Sequence, residues 1–238
     1  MSSVSVAAVI AAVLVLSLAA QSTTASDAAP AHARLYPKIE SYLDARAAEF
    51  ELISPDRKAV LEELSAYVRR DTKSADPASL IFVCTHNSRR SHLSQLWAAA
   101  AAKRVGLRVW TYSGGTESTA FNPRAVAAAE RAGIRIEKTT DARNPVYHAR
   151  ISDDLPAMTC FSKPFDNDPN PKDGFGAVMV CTDADEACPF VPGAEFRIAV
   201  PFVDPKASDG TPEEAATYDE RCAQIAREML YVMSNAAR

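Results

Sequence analysis

The chain has 238 residues, enough for one good-sized α/β domain with appendages, and its 47% hydrophobic content is ordinary for a packed core and excludes wholesale disorder. A formal net charge of -4 argues against general binding to nucleic acid or to an anionic membrane, which a basic surface would favour. Any anion must therefore be drawn by a local site.

After Met1-Ser-Ser-Val-Ser5 comes an apolar run to Ala20 and then Gln21-Ser-Thr-Thr-Ala-Ser26. The run is short for a membrane span and ends in small residues. Residues 1–26 are therefore predicted to be a secretory signal cleaved near Ala25, leaving a secreted or periplasmic protein with no stable membrane association. The n-region lacks Lys and Arg, and an uncleaved anchor helix is the competing reading. Residues 27–76 read as a helical extension. Leu35, Ile39, Tyr42, Leu43 and Phe50 recur at helical spacing, and Ser54-Pro55 opens a second helix with the stripe Val60, Leu61, Leu64, Tyr67 and Val68. The two make a helical hairpin that packs on the main domain or on a partner. Ser74-Ala-Asp-Pro77 is a linker.

Residues 77–238 read as the catalytic domain. Leu80–Val83 is a continuously apolar run typical of a buried parallel strand. Leu93, Leu96, Trp97 and Ala100 mark a helix to about Arg104, and Arg108–Tyr112 is a second strand. Asn122-Pro123 starts another helix, closed by Gly133. Residues 135–175, rich in Pro, Asp and Asn, read as a long irregular excursion with one short strand near Met158–Phe161. Ala177–Val180 and Phe196–Val200 are the third and fourth strands, and a closing helix carries Tyr218, Cys222, Ile225, Met229 and Val232 on one face. The alternation implies a four-stranded parallel sheet covered on both faces by helices, with ligands at the carboxyl ends of the strands. Cys84 ends the first strand and Cys181 the third.

Five cysteines, Cys84, Cys160, Cys181, Cys188 and Cys222, are too few for a disulfide scaffold, and their odd number leaves at least one thiol without an intramolecular partner. Cys84 is the candidate. It begins Cys84-Thr85-His86-Asn87-Ser88-Arg89-Arg90-Ser91, a C-x5-R-S pattern set between a strand and a helix. A loop so placed aims successive backbone N–H groups at one spot, and the helix N-terminus adds positive potential, so an oxyanion is held there by Thr85, His86, Asn87, Ser88, Arg89 and Ser91. Arg90 completes the cradle with a bidentate fork. The same field favours the thiolate of Cys84, a ready nucleophile. Ser91 is placed to bond the sulfur, and Asn87 to hold the loop's turns. Arg89 reads as a solvent-facing or substrate-facing charge, and His86 and His92 as local polar contacts. These residues form no zinc set, and no metal or cofactor is implied. Asp204-Pro205, in a polar loop before the last helix, supplies a carboxyl suited to act as general acid and then as general base on water.

With these residues, the chain over about 79–236 resembles the low-molecular-weight protein-tyrosine-phosphatase superfamily, which includes the thioredoxin-coupled arsenate reductases. Ser113-Gly-Gly-Thr-Glu117 and Asn122-Pro-Arg-Ala-Val126 belong to the same resemblance. It implies a flavodoxin-like strand order and a cysteinyl-phosphate intermediate, with Cys84 as nucleophile, Arg90 on the oxyanion and Asp204 as acid and base. The leading expectation is phosphomonoester hydrolysis on a phosphorylated substrate. The alternative follows from Cys181-Thr-Asp-Ala-Asp-Glu-Ala-Cys188-Pro189, which resembles the arsenate reductase branch: Cys84, Cys181 and Cys188 would relay oxidation from arsenate to thioredoxin by thiol–disulfide exchange. In an exported protein Cys181 and Cys188 could instead form a structural disulfide. A further alternative is an oxyanion-binding protein without turnover. The tyrosine pair that follows Asp-Pro in many eukaryotic phosphatases is replaced by Lys206-Ala-Ser-Asp-Gly210, which puts a phosphotyrosine clamp in doubt.

Overall fold

A computed structural model describes residues 34–72 and 77–238. The expected signal segment and residues 74–76 of the linker lie outside the described residues. Among those described, no helix is long and apolar enough to cross a membrane.

The catalytic sheet has β1 (Ala78–Cys84), β2 (Val109–Gly115), β6 (Phe175–Met179) and β7 (Ala194–Ala199) in the order β2-β1-β6-β7, all parallel. This is the expected four-stranded α/β sheet. β6 is buried at every residue and β1 at all but Ser79, as strands covered on both faces must be. Helix α3 (Arg90–Arg104) returns from β1 to β2 and packs on both, and α6 (Glu214–Ala236) lies against α3. α4 (Pro123–Arg131) begins at Asn122, whose Oδ1 accepts the Arg124 N–H at 2.9 Å, and ends before Gly133 at φ +112°.

The helical extension is α1 (Pro37–Ala47), a 3₁₀ turn at Phe50–Leu52 and α2 (Pro55–Thr72). Ser54 Oγ accepts the Arg57 N–H at 3.3 Å and caps α2. Ile39, Leu43, Leu61, Leu64 and Val68 have no exposed surface, and the stripes they form lie on the catalytic domain, mainly along α6. Tyr67 stacks on Phe196 of β7 with ring centroids 4.6 Å apart, and Arg57 reaches the buried Glu228 of α6.

Residues 135–175 differ from the irregular excursion expected. They contain a second, antiparallel sheet in the order β3-β4-β5, formed by Arg135–Lys138, Tyr147–Arg150 and Met158–Cys160. Its strands are four, four and three residues long, too short for alternation to register in sequence, although Tyr147 and Ala149 do point inward. α1 is tied to this sheet's margin: Tyr36 donates its N–H to Ile151 O at 2.9 Å and its hydroxyl to Asp153 at 2.7 Å.

Candidate active site

The oxyanion loop leaves β1 at Cys84 and ends where α3 starts at Arg90. Cys84 is buried, with its Sγ 3.2 Å from Ser91 Oγ. Asn87 takes the left-handed conformation at φ 42°, which Asn tolerates better than other side chains. Its Oδ1 accepts the Lys163 N–H at 2.9 Å, which fixes the amide's orientation, and its Nδ2 donates to Ser91 Oγ at 2.9 Å. Because Ser91 Oγ already accepts there, its own proton is free to point at the sulfur. The loop is braced from behind by β2. A Cβ on Gly115 would lie 2.2 Å from Glu117 O and 2.7 Å from Asn87 N, so only glycine lets the strand pass this close.

Two arginines meet the acid candidate. Arg90 Nη2 and Arg89 Nη1 lie 2.9 and 3.2 Å from Asp204 Oδ2, and Arg90 Nη1 donates to Phe202 O at 3.0 Å. Asp204 Oδ1 accepts the Lys206 N–H at 3.0 Å, so the carboxylate is held on both oxygens. Arg90, Thr182, Asp183, Pro201, Phe202, Val203 and Asp204 line a cavity of about 360 Å³. Of the two directions open to Arg89 in sequence, solvent or substrate, its side chain is only 11% exposed and faces Asp204.

Cys181 closes the site from the next strand. It caps α5 (Thr182–Ala187), where its Sγ accepts the Ala184 N–H at 3.4 Å, and the same sulfur lies 3.5 Å from Thr85 Oγ1. Thr85 adjoins the nucleophile in sequence. Cys188, half-buried at the far end of α5, has its carbonyl fixed by Arg197 Nε at 3.1 Å. All five cysteines are free thiols in this structure, Cys181 and Cys188 among them. Cys160 and Cys222 are fully buried, their thiols pushed up to about 12 and about 11 by burial.

The two loop-region histidines part company. His86 is exposed, 3.6 Å from Glu117, and His92 is buried, stacked on Phe121 and 3.1 Å from Ser113 Oγ, with burial and neighbouring Lys163 bringing its pKa down to about 3. Among the described residues no cluster of His, Cys, Asp and Glu could hold a metal ion. Ser88 is buried within the loop, and its carbonyl accepts the Asn122 N–H at 2.8 Å.

Some supports carried no sequence signal. Lys163 and Ser162 come from the excursion: Ser162 Oγ donates to His86 O at 2.8 Å, and Lys163 is 4% exposed directly behind Asn87. Phe202 enters through its carbonyl alone. None of these belongs to a pattern that spacing could reveal.

A buried cysteine at the end of a parallel strand, on a loop that closes with an arginine paired to an aspartate, fits a thiol-dependent enzyme of oxyanion chemistry. The family model for low molecular weight phosphotyrosine protein phosphatase matches residues 79–150. The arsenate reductase of Bacillus licheniformis is 32% identical over 145 residues, covering 60% of this chain and 85% of that protein. That of Halalkalibacterium halodurans is 30% identical over 136 residues, 57% of this chain and 79% of its own. A solved low-molecular-weight protein tyrosine phosphatase from T. tengcongensis aligns with 66% of this chain and 98% of its own, with 15% identity and a TM-score of 0.45. The chain belongs to the low-molecular-weight protein-tyrosine-phosphatase superfamily, and it is an enzyme of the phosphatase-like or arsenate-reducing kind.

Proposed function

We propose that the chain is an arsenate reductase that works by a three-thiol relay. The observation that carries this reading is the Cys181 sulfur 3.5 Å from Thr85 Oγ1, at the rim of the nucleophile's loop. Hydrolysis through Cys84, Arg90 and Asp204 requires no second thiol there. The similarity to arsenate reductases over most of their length supports the same reading.

The Cys84 thiolate attacks arsenic, and one oxygen leaves as water with a proton from Asp204, giving a sulfur–arsenic bond. Cys181 then attacks Cys84 Sγ. The sulfur–arsenic bond breaks with its electron pair staying on arsenic, As(V) leaves as arsenite, and a Cys84–Cys181 disulfide remains. Cys188 attacks Cys181 Sγ, freeing the Cys84 thiolate and leaving a Cys181–Cys188 disulfide for a dithiol protein of the thioredoxin kind to reduce. The last exchange requires movement. At about 1.5 Å per residue the ends of α5 stand roughly 10 Å apart, whereas a disulfide needs Cα atoms within about 7 Å, so α5 must unwind.

Turnover with arsenate, thioredoxin and thioredoxin reductase tests the reading. Cys181→Ser and Cys188→Ser are each expected to abolish arsenate-dependent thioredoxin oxidation, and undiminished turnover in either would rule out the relay. Phosphomonoester hydrolysis is the second reading, favoured by the Cys84, Arg90 and Asp204 set, which is complete without the other thiols. It requires an aryl phosphatase activity that Cys84→Ser loses and Cys181→Ser keeps.

A further inference from the structure

Two guanidinium groups converge on one oxygen of the acid, and the cradle accounts for only one of them. Arg90 belongs to the oxyanion. Its Nη2 also lies 2.9 Å from Asp204 Oδ2, so the carboxylate and an oxyanion draw on the same fork. An entering oxyanion competes for that fork, and the Asp204 oxygen it frees can take up a proton brought by the arsenate monoanion and later pass it to the leaving oxygen.

Arg89 is built differently. It precedes the first helical residue of α3, its side chain is nearly buried, and its Nη1 reaches the same Oδ2 at 3.2 Å. On its other side it lies by the Tyr218 phenol, which donates to Asp209 Oδ1 at 2.8 Å and so pins the far end of the acid's loop. Burial and that bond push Tyr218 up to about 12, while the nearby charge of Arg89 pulls it back. Lys206 N–H holds Oδ1 independently of either arginine.

We propose that Arg89 is the positioning residue for Asp204, holding the carboxyl group at the leaving oxygen after Arg90 has turned to the substrate. Arg90's departure opens a lone pair on Oδ2, while Arg89 stays on that oxygen and Lys206 N–H on Oδ1, so the carboxyl group keeps its place. The inference rests on the reading of Asp204 as the acid and goes beyond it by separating the two loop arginines, one for binding and one for proton delivery.

A double-mutant cycle in the full chain tests it, with Arg89→Gln, Asp204→Asn and the double variant assayed over a range of arsenate concentrations with thioredoxin and its reductase. Arg89→Gln is expected to lower kcat by about tenfold to 10²-fold while KM for arsenate stays within about twofold. Arg89→Lys should recover part of the loss, and the double variant should be no slower than Asp204→Asn alone. A raised KM with intact kcat would make Arg89 an oxyanion ligand and overturn the proposal, as would losses that multiply in the double variant. Asp204→Asn as fast as wild type would remove the acid and the proposal with it. Arsenate inert in the wild type would sink the reductase reading alone. The cycle would then be run with an aryl phosphate, whose leaving oxygen needs the same proton and for which the same non-additivity is required. A wild type inert to both substrates would overturn the positioning role as well.

Discussion

Behind the oxyanion loop, Lys163 is an ammonium group without a carboxylate partner among the described residues. Its nitrogen lies 4.9 Å over the Phe161 ring, and burial lowers its pKa from 10.5 to about 8, with Cys160 opposing slightly. Below about pH 8 the folded and unfolded chains both hold this proton, and the burial penalty is undiminished. Between about 8 and 10.5 the folded chain releases it first, the unfolded state binds more protons, and stability rises with pH. Lys163→Met should therefore be more stable than wild type near neutral pH by roughly 2–3 kcal/mol, a gap that narrows at about pH 9.5. Urea melts at the two pH values measure this, and a gap that stays constant or widens would contradict it. The placement of Cys84 at the end of a strand, Arg90 at the start of a helix and Asp204 in the loop before the last helix was legible because a tight loop and a short turn are written in a few adjacent letters. Lys163 was not: it meets Asn87 from 76 positions away, through a backbone N–H that any residue type could supply. For Arg89 the sequence left both solvent and substrate open as the direction of its charge, because its partner Asp204 lies 115 positions on.

At the scale of elements, strands and helices of ordinary length were legible from their period, and the second sheet was not. β1 announces itself as a run of buried apolar residues, whereas β4 offers only Tyr147 and Ala149 turned inward. α1 and α2 were legible as amphipathic helices, but not what they cover. α2 sits on α6 and β7 with Leu61, Leu64 and Val68 wholly buried, so the extension shares the catalytic domain's core. Leu64→Ala is expected to destabilise the whole protein by about 2–5 kcal/mol, as deletion of a core leucine does. A single cooperative urea transition at a lower midpoint is the expected result, and an early separate transition with an unshifted main one would show that the hairpin unfolds independently. α5 stands at the opposite extreme: six residues long, it is tied to β7 by Arg197, which donates to Asp185 O at 2.9 Å and to Cys188 O at 3.1 Å. A helix this short gains little from cooperativity, which suits the Cys181–Cys188 exchange proposed above.

For the molecule as a whole, the order β2-β1-β6-β7 brings the C-terminal ends of β1 and β6 side by side, so Cys84 and Cys181 arrive at one site from residues 97 positions apart. The α1 contacts to Ile151 and Asp153 join the extension and the antiparallel sheet into one body around that site. In the proposed relay, the sulfur attacked after Cys84 engages its oxyanion is Cys84 itself, and Cys181 is the attacker. The most direct measurement is a single turnover of fully reduced Cys188→Ser with arsenate, followed by thiol blocking and mass mapping of the cysteines. The relay predicts one arsenite released per chain and a trapped Cys84–Cys181 disulfide. All thiols found reduced and no arsenite formed, in a protein that hydrolyses an aryl phosphate, would contradict it.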